Sequence, residues 1–127
     1  MSWVTFPGNV DSVTQARRLV TEILAECPDD VRDVVEMLVS ELATNSVRHT
    51  TSDFSVRVAV GVDRIRVEVS DRGAGRPEVR SPTPSEPNGR GLQIVGLLAD
   101  EWGVSDLDDG SGKTVWFEVS PDKSLRT

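Results

Sequence analysis

The chain has 127 residues, 37% of them apolar and 28% charged, which fits one globular domain with a hydrophobic core of its own. Lys and Arg number 14 against 21 Asp and Glu, a formal charge of −7; so acidic a chain is ill suited to hold DNA or RNA phosphates over a broad face, although a local pocket can still hold one small anion. A single cysteine (Cys27) excludes an internal disulfide framework, a single histidine (His49) excludes a His-rich or Cys-plus-several-His metal cluster, and no apolar run is long enough to cross a bilayer.

Residues 3–6 are β-favouring and stop at the turn signal Pro7-Gly8, which predicts a short edge strand. Asp11 or Ser12 is the expected cap of a first helix running to about Glu26, with Val13, Ala16, Leu19, Val20, Ile23 and Leu24 at helical spacing. Cys27-Pro28 ends it, and Cys27 reads as a semi-buried structural thiol. A second helix starts near Pro28-Asp29-Asp30, where proline and acidic residues suit a helix N-terminus, and continues to about His49 with Val31, Val34, Val35, Leu38, Leu42 and Ser46 on one face. Two alternating segments follow. Phe54, Val56, Val58 and Val60 form one apolar set and Ile65, Val67 and Val69 the next, joined by the turn Gly61-Val62-Asp63: an antiparallel hairpin with one buried face.

Residues 72–90 change character. A glycine turn, Arg72-Gly73-Ala74-Gly75-Arg76, leads into a stretch carrying Pro77, Pro82, Pro84 and Pro87, a long loop of the kind that is either functional or disordered. Gly89-Arg90-Gly91 opens a short helix through Leu92, Ile94, Val95, Leu97 and Leu98. A strand begins at Trp102-Gly103-Val104, an acidic glycine turn spans 106–112, a last strand runs from Thr114 to Ser120, and 121–127 reads as a frayed tail. The order β-α-α-β-β-loop-α-β-β predicts an α+β two-layer sandwich: a mixed, mostly antiparallel sheet covered on one face by about three helices.

Several residues stand out chemically. Glu41 and Asn45, four apart, lie about 40° apart on a helical wheel, with Arg48 on the other side of Glu41; the strip borders the apolar face, where polar groups are sheltered yet reachable. Taken alone, it reads as ordinary solvated helix surface. Asp71 continues the apolar phase of 65, 67 and 69, so its carboxylate points toward the helical layer and needs a donor there; a strand-end cap is the blander reading. Gly73 and Gly75 allow close approach of backbone to a flat ring, or simply a turn. Gly89, Arg90 and Gly91 at a helix start present amides and one positive charge, a fit for phosphate oxygens or a plain hinge. Gly110-Ser111-Gly112-Lys113-Thr114 imitates the end of a phosphate-binding Walker loop, but Leu107 stands where its first glycine belongs, and the residues after it are β-like rather than helical.

Together these elements are more specific than any one of them. Glu41-x-x-x-Asn45 on a helix, Asp71-x-Gly73-x-Gly75 after a hairpin, a long loop, Gly89-Arg90-Gly91-Leu92 at a helix start and Gly112-Lys113-Thr114 before a last strand resemble the N, G1, G2 and G3 boxes of the GHKL ATPase superfamily, whose site is the Bergerat ATP-binding fold. The resemblance spans nearly the whole chain. Within the superfamily the chain looks most like the anti-sigma-factor serine/threonine kinases of the RsbW and SpoIIAB type, because Asn45-x-x-x-His49 ends the N box in their manner and the chain has no room for the phosphoacceptor helix pair of a sensor histidine kinase.

That resemblance implies ATP and Mg²⁺ as cofactors. It makes Asp71 the acceptor for the adenine amino group with Thr114 assisting, Gly73 and Gly75 the close-approach positions, Asn45 the protein ligand of Mg²⁺, and Gly89, Arg90, Gly91 and Leu92, with Arg48, part of the nucleotide site. Residues 76–88 become an ATP lid and Glu41 the general base. Strand alternation sends Thr114 outward with Trp116, since Val115, Phe117 and Val119 form the inward set, so Thr114 needs a bulge to reach adenine. The implied function is a homodimeric kinase acting on a STAS-type anti-sigma-factor antagonist and in contact with a sigma factor. The acidic charge, the single cysteine, an N-terminus unlike a secretory signal and the lack of a long apolar run give the expectation of a cytoplasmic chain with no nucleic acid or membrane partner. A non-catalytic partner-switching module, or an ATPase that phosphorylates a histidine in trans, are the other readings.

Overall fold

The computed structural model describes residues 3–49, 53–71, 96, 98–106 and 112–120 of the chain. Within them lie β1 (Val4–Phe6), α1 (Asp11–Ile23), α2 (Asp29–His49), β2 (Phe54–Val60), β3 (Ile65–Asp71), β4 (Glu101–Asp106) and β5 (Lys113–Val119). The five strands form one open sheet in the order β1-β2-β3-β5-β4, and every neighbouring pair is antiparallel. Among the described residues the sheet is thus wholly antiparallel rather than mixed. Of the helix expected over 92–98, residues 96 and 98 are described, and both are helical.

Each element follows from its residues. The helical stripe of α2 buries Val31, Val35, Leu38 and Leu42, and Val39 and Ala43 join them. The helix packs on α1 and on β2, β3 and β5, while α1 also reaches β2, so both helices cover the same face of the sheet. In β3 buried and half-buried residues alternate without interruption, and in β2 they do so up to Ala59, as period-two apolar segments must when one face meets a core; Val60, expected in the inward set, is exposed at the end of β2 beside the turn. The hairpin closes where the Gly61 amide donates to the Arg64 carbonyl at 2.8 Å, and Val60 pairs with Ile65. Phe6 on β1 and Phe54 on β2 stack with centroids 5.5 Å apart, closing the core at the β1 edge.

The start of α1 differs from expectation. Asp11 is its first residue, and Ser12 is a buried helical residue rather than the cap. Asn9 does that work from outside the helix: its Oδ1 accepts from both the amide and the hydroxyl of Ser12, each at 3.3 Å. The helix ends at Ile23, before Glu26, as Leu24 turns in to pack fully buried in the core. Cys27 is half-buried against that core, as a structural thiol should be.

β5 lies between β3 and β4, although β4 precedes it in the chain, so β4 is an edge strand. It is accordingly the least buried strand of its side of the sheet, with Trp102 and Val104 half-buried against the core. Gly103 lies opposite Trp116, and a β-carbon at Gly103 would come within 2.8 Å of the indole ring. Only a residue without a side chain allows that approach.

Candidate functional site

The apolar stripes that build the core also carry polar groups inward at one end. Along α2, Leu38 and Leu42 are followed four residues later by Ser46, which stays on the buried stripe. Along β3, Ile65, Val67 and Val69 are followed two residues later by Asp71. Along β5, Lys113 begins the series continued by Val115, Phe117 and Val119. Asp71 and Lys113 are direct register partners, the last rung of the β3–β5 ladder, and Phe54 of β2 is the partner of Asp71 on its other side.

The three polar side chains meet. Ser46 Oγ donates to Asp71 Oδ2 at 2.9 Å, and Lys113 Nζ donates to Asp71 Oδ1 at 2.9 Å. The Asp71 and Lys113 side chains are only 4% and 8% exposed, so this is a buried ion pair, and no buried side-chain nitrogen or oxygen among the described residues lacks a partner. Buried charge is tolerable only with such pairing, because the cost of removing two ions from water is offset by close geometry and further hydrogen bonds.

Glu41 and Asn45 are half-buried on α2, one turn apart, and Asn45 immediately precedes the serine that grips Asp71. Helix geometry puts Glu41 about 6 Å before Asn45 along the axis, on the side away from Ser46. Arg48 is exposed near the end of the same helix. One helix therefore carries Glu41, Asn45 and the tether to Asp71. Gly73, Gly75, Gly89, Arg90, Gly91 and Leu92, the expected lid over 76–88 and the expected tail over 121–127 lie outside the described residues.

Thr114 does not share this site. β5 keeps unbroken register with β3, with no bulge, and Thr114 Oγ1 instead donates to Ser70 Oγ at 3.2 Å on the face away from the helices. Ser70 Oγ in turn donates to the Lys113 carbonyl at 3.2 Å. The adenine contact expected of Thr114 is therefore corrected: the inward position beside Asp71 belongs to Lys113. Sequence reasoning missed Lys113, yet the signal was present. Position 113 is in phase with 115, 117 and 119, and a lysine on an apolar phase needs an acid facing it.

The donor set bears on which groups the site can hold. Asp71 offers a fixed carboxylate acceptor, Lys113 a fixed ammonium, and Asn45 a half-buried carboxamide. Among the described residues no three His, Cys, Asp or Glu side chains cluster as a metal cage. Asn45, half-buried on α2, carries a carboxamide oxygen of the kind that could serve as a single protein ligand to a hard cation such as Mg²⁺, which takes oxygen ligands and keeps several waters.

An antiparallel sheet covered on one face by helices, with an acid at the end of a central strand tied to a helix that carries a Glu-x-x-x-Asn pair, defines an ATPase-like α+β class. The chain belongs to the histidine kinase-like ATPase domain family, within the GHKL superfamily, which it matches over residues 6–119. Among solved structures it is similar to the histidine kinase domain of the blue-light activated histidine kinase EL346 of Erythrobacter litoralis, at 24% identity and a TM-score of 0.57 over 90% of this chain and 61% of that one. A longer structure of the same Erythrobacter protein gives 20% identity and a TM-score of 0.62 over 96% of this chain and 44% of that one. The catalytic domain of the histidine kinase ThkA gives 16% identity and a TM-score of 0.56 over 95% of this chain and 97% of that one. At these identities the likeness is one of fold. The chain spans less than two thirds of each of the two Erythrobacter structures. No curated protein matches it. Among the described residues no helix is long and apolar enough to cross a membrane.

Proposed function

We propose that the chain is an ATP- and Mg²⁺-dependent protein serine/threonine kinase and anti-sigma regulatory factor, which phosphorylates a STAS-type anti-sigma-factor antagonist in a cytoplasmic partner-switching system. The observation that carries the nucleotide part is the buried Asp71, held by Ser46 of the helix that also presents Glu41 and Asn45. In this reading Asp71 accepts from the adenine amine, Asn45 contributes the protein oxygen to Mg²⁺, and Glu41 orients or deprotonates the attacking hydroxyl. Mg²⁺, held by Asn45, would supply positive charge to offset that of the phosphates. Glu41 is suited to its role because half-burial restricts its side chain while leaving the carboxylate reachable. The serine/threonine preference, the STAS partner, the sigma-factor contact and the dimer rest on the resemblance of the Asn45-x-x-x-His49 motif to the anti-sigma kinases.

The test is phosphate transfer from labelled ATP to a STAS-type protein by the original chain, Asn45→Ala and Glu41→Ala. Acid-stable phosphoserine or phosphothreonine that both substitutions abolish is the expected result. Transfer undiminished in Asn45→Ala defeats the reading. Tight binding of the partner with no transfer assigns the chain instead to a non-catalytic partner-switching module. An acid-labile product assigns it to histidine phosphorylation in trans, the reading favoured by its similarity in fold to histidine kinase domains.

A further inference from the structure

We propose that Lys113 reads the nucleotide base: its ammonium, fixed beside Asp71, is the donor half of an acceptor–donor pair matched to the edge of a 6-aminopurine. The exocyclic amine donates to Asp71, and the ring nitrogen next to it, N1, accepts from Lys113. This rests on the ATP-binding reading above and extends it to a residue that reading does not use.

Three observations carry it. Lys113 Nζ lies 2.9 Å from Asp71 Oδ1, so any group recognised by Asp71 meets the ammonium as its immediate neighbour. The Lys113 side chain is 8% exposed, which leaves its ammonium little water. An ammonium has three N–H donors, and among the described residues Lys113 gives one of them to Asp71 and none to another acceptor. Buried donors favour a ligand that brings an acceptor. A 6-aminopurine edge supplies a donor and an acceptor side by side. A 6-oxopurine presents them in the reverse order, so with sugar and phosphates fixing the direction of the edge, the pair discriminates against it.

Ser46 adds rigidity. By holding Asp71 Oδ2 while Lys113 holds Oδ1, it fixes the carboxylate from both sides. The pair is thus set before a base arrives, and little ordering cost remains to be met on binding.

The experiment is competitive titration with ATP and 1-deaza-ATP, which keeps the amine but has carbon in place of N1. It is run on the original chain, Lys113→Gln and Lys113→Met, with circular dichroism to confirm folding. The original chain is expected to bind 1-deaza-ATP about tenfold more weakly than ATP, the scale of a hydrogen bond from a charged donor. In Lys113→Met the two ligands bind within about twofold of each other, and in Lys113→Gln the ratio is intermediate, because one neutral donor remains. Equal binding of the two ligands by the original chain overturns the proposal without recourse to any variant. So does an unchanged ratio in Lys113→Met, or tighter ATP binding once the lysine is removed, which would make it an obstruction. Failure of the original chain to bind either ligand defeats the ATP-binding reading itself and this inference with it.

Discussion

β3 presents two faces of opposite character, and each bears acid–base pairs with its neighbours. On the helix-covered face Asp71 meets Lys113, almost wholly out of water, with Ser46 as the second donor. On the open face Glu68 takes Arg57 at 2.6 Å and Arg66 at 3.7 Å, and Arg66 also reaches Glu118 at 3.0 Å. Arg57 and Arg66 further lie over the Trp3 and Trp116 rings, at 4.4 and 4.2 Å from the centroids. The open face is a mesh in which Glu68 is shared by two arginines and Arg66 by two glutamates, and water stands ready to replace any of them. On the covered face the Lys113 and Asp71 side chains are almost wholly shielded, so water is poorly placed to replace either partner. Similar distances therefore carry very different energetic weight, and the covered pair is where a single side chain is indispensable.

The contrast can be broken most severely at Asp71. Asp71→Ala leaves the Lys113 ammonium buried without its counter-charge, and urea denaturation should show a loss of about 3–5 kcal/mol. Ser46→Ala keeps the ion pair but removes its second donor, with an expected loss of about 1.5–3 kcal/mol by the same measurement. The open face has one tight spot of its own. Gly103→Ala drives a methyl group into the Trp116 indole, and the melting curve should fall by the equivalent of about 1–3 kcal/mol, with a change in tryptophan fluorescence. Smallest of all is Glu118→Gln, which removes one anion from the mesh: a change within about 1 kcal/mol, shrinking further in high salt. If Glu118→Gln proved as damaging as Asp71→Ala, the distinction between the two faces would be false.

Most of this architecture could be read from residue pattern alone. The hairpin, the long second helix and the inward phase of Asp71 follow from periodicity, because one buried face forces apolar residues onto every second strand position and onto a helical stripe. The sheet order was not readable. Nothing local says that β5 inserts between β3 and β4, since antiparallel partners are chosen by long-range packing. The cap of α1 was misplaced by preferring Asp11 and Ser12, when the acceptor came from Asn9 before the helix. The family resemblance assigns Thr114 to adenine while the strand phase sends it outward, and the phase is the better guide to its direction. The glycine boxes and the lid expected over 76–88 lie outside the described residues, so for them the sequence remains the whole argument.

The unbroken alternation of β5 has one more consequence. Val115, Phe117 and Val119 pair with Val69, Val67 and Ile65 rather than with Asp71, yet they determine that Lys113 faces it. A slip of β5 by a single residue would turn those three side chains into water and bring Trp116 and Glu118 into the core, a penalty far larger than anything the lysine itself could impose. The greasy residues of the strand thus act as a proofreading key for a polar contact at its far end. The lysine needs no means of finding its partner, because misaligned strands are rejected on grounds unrelated to charge.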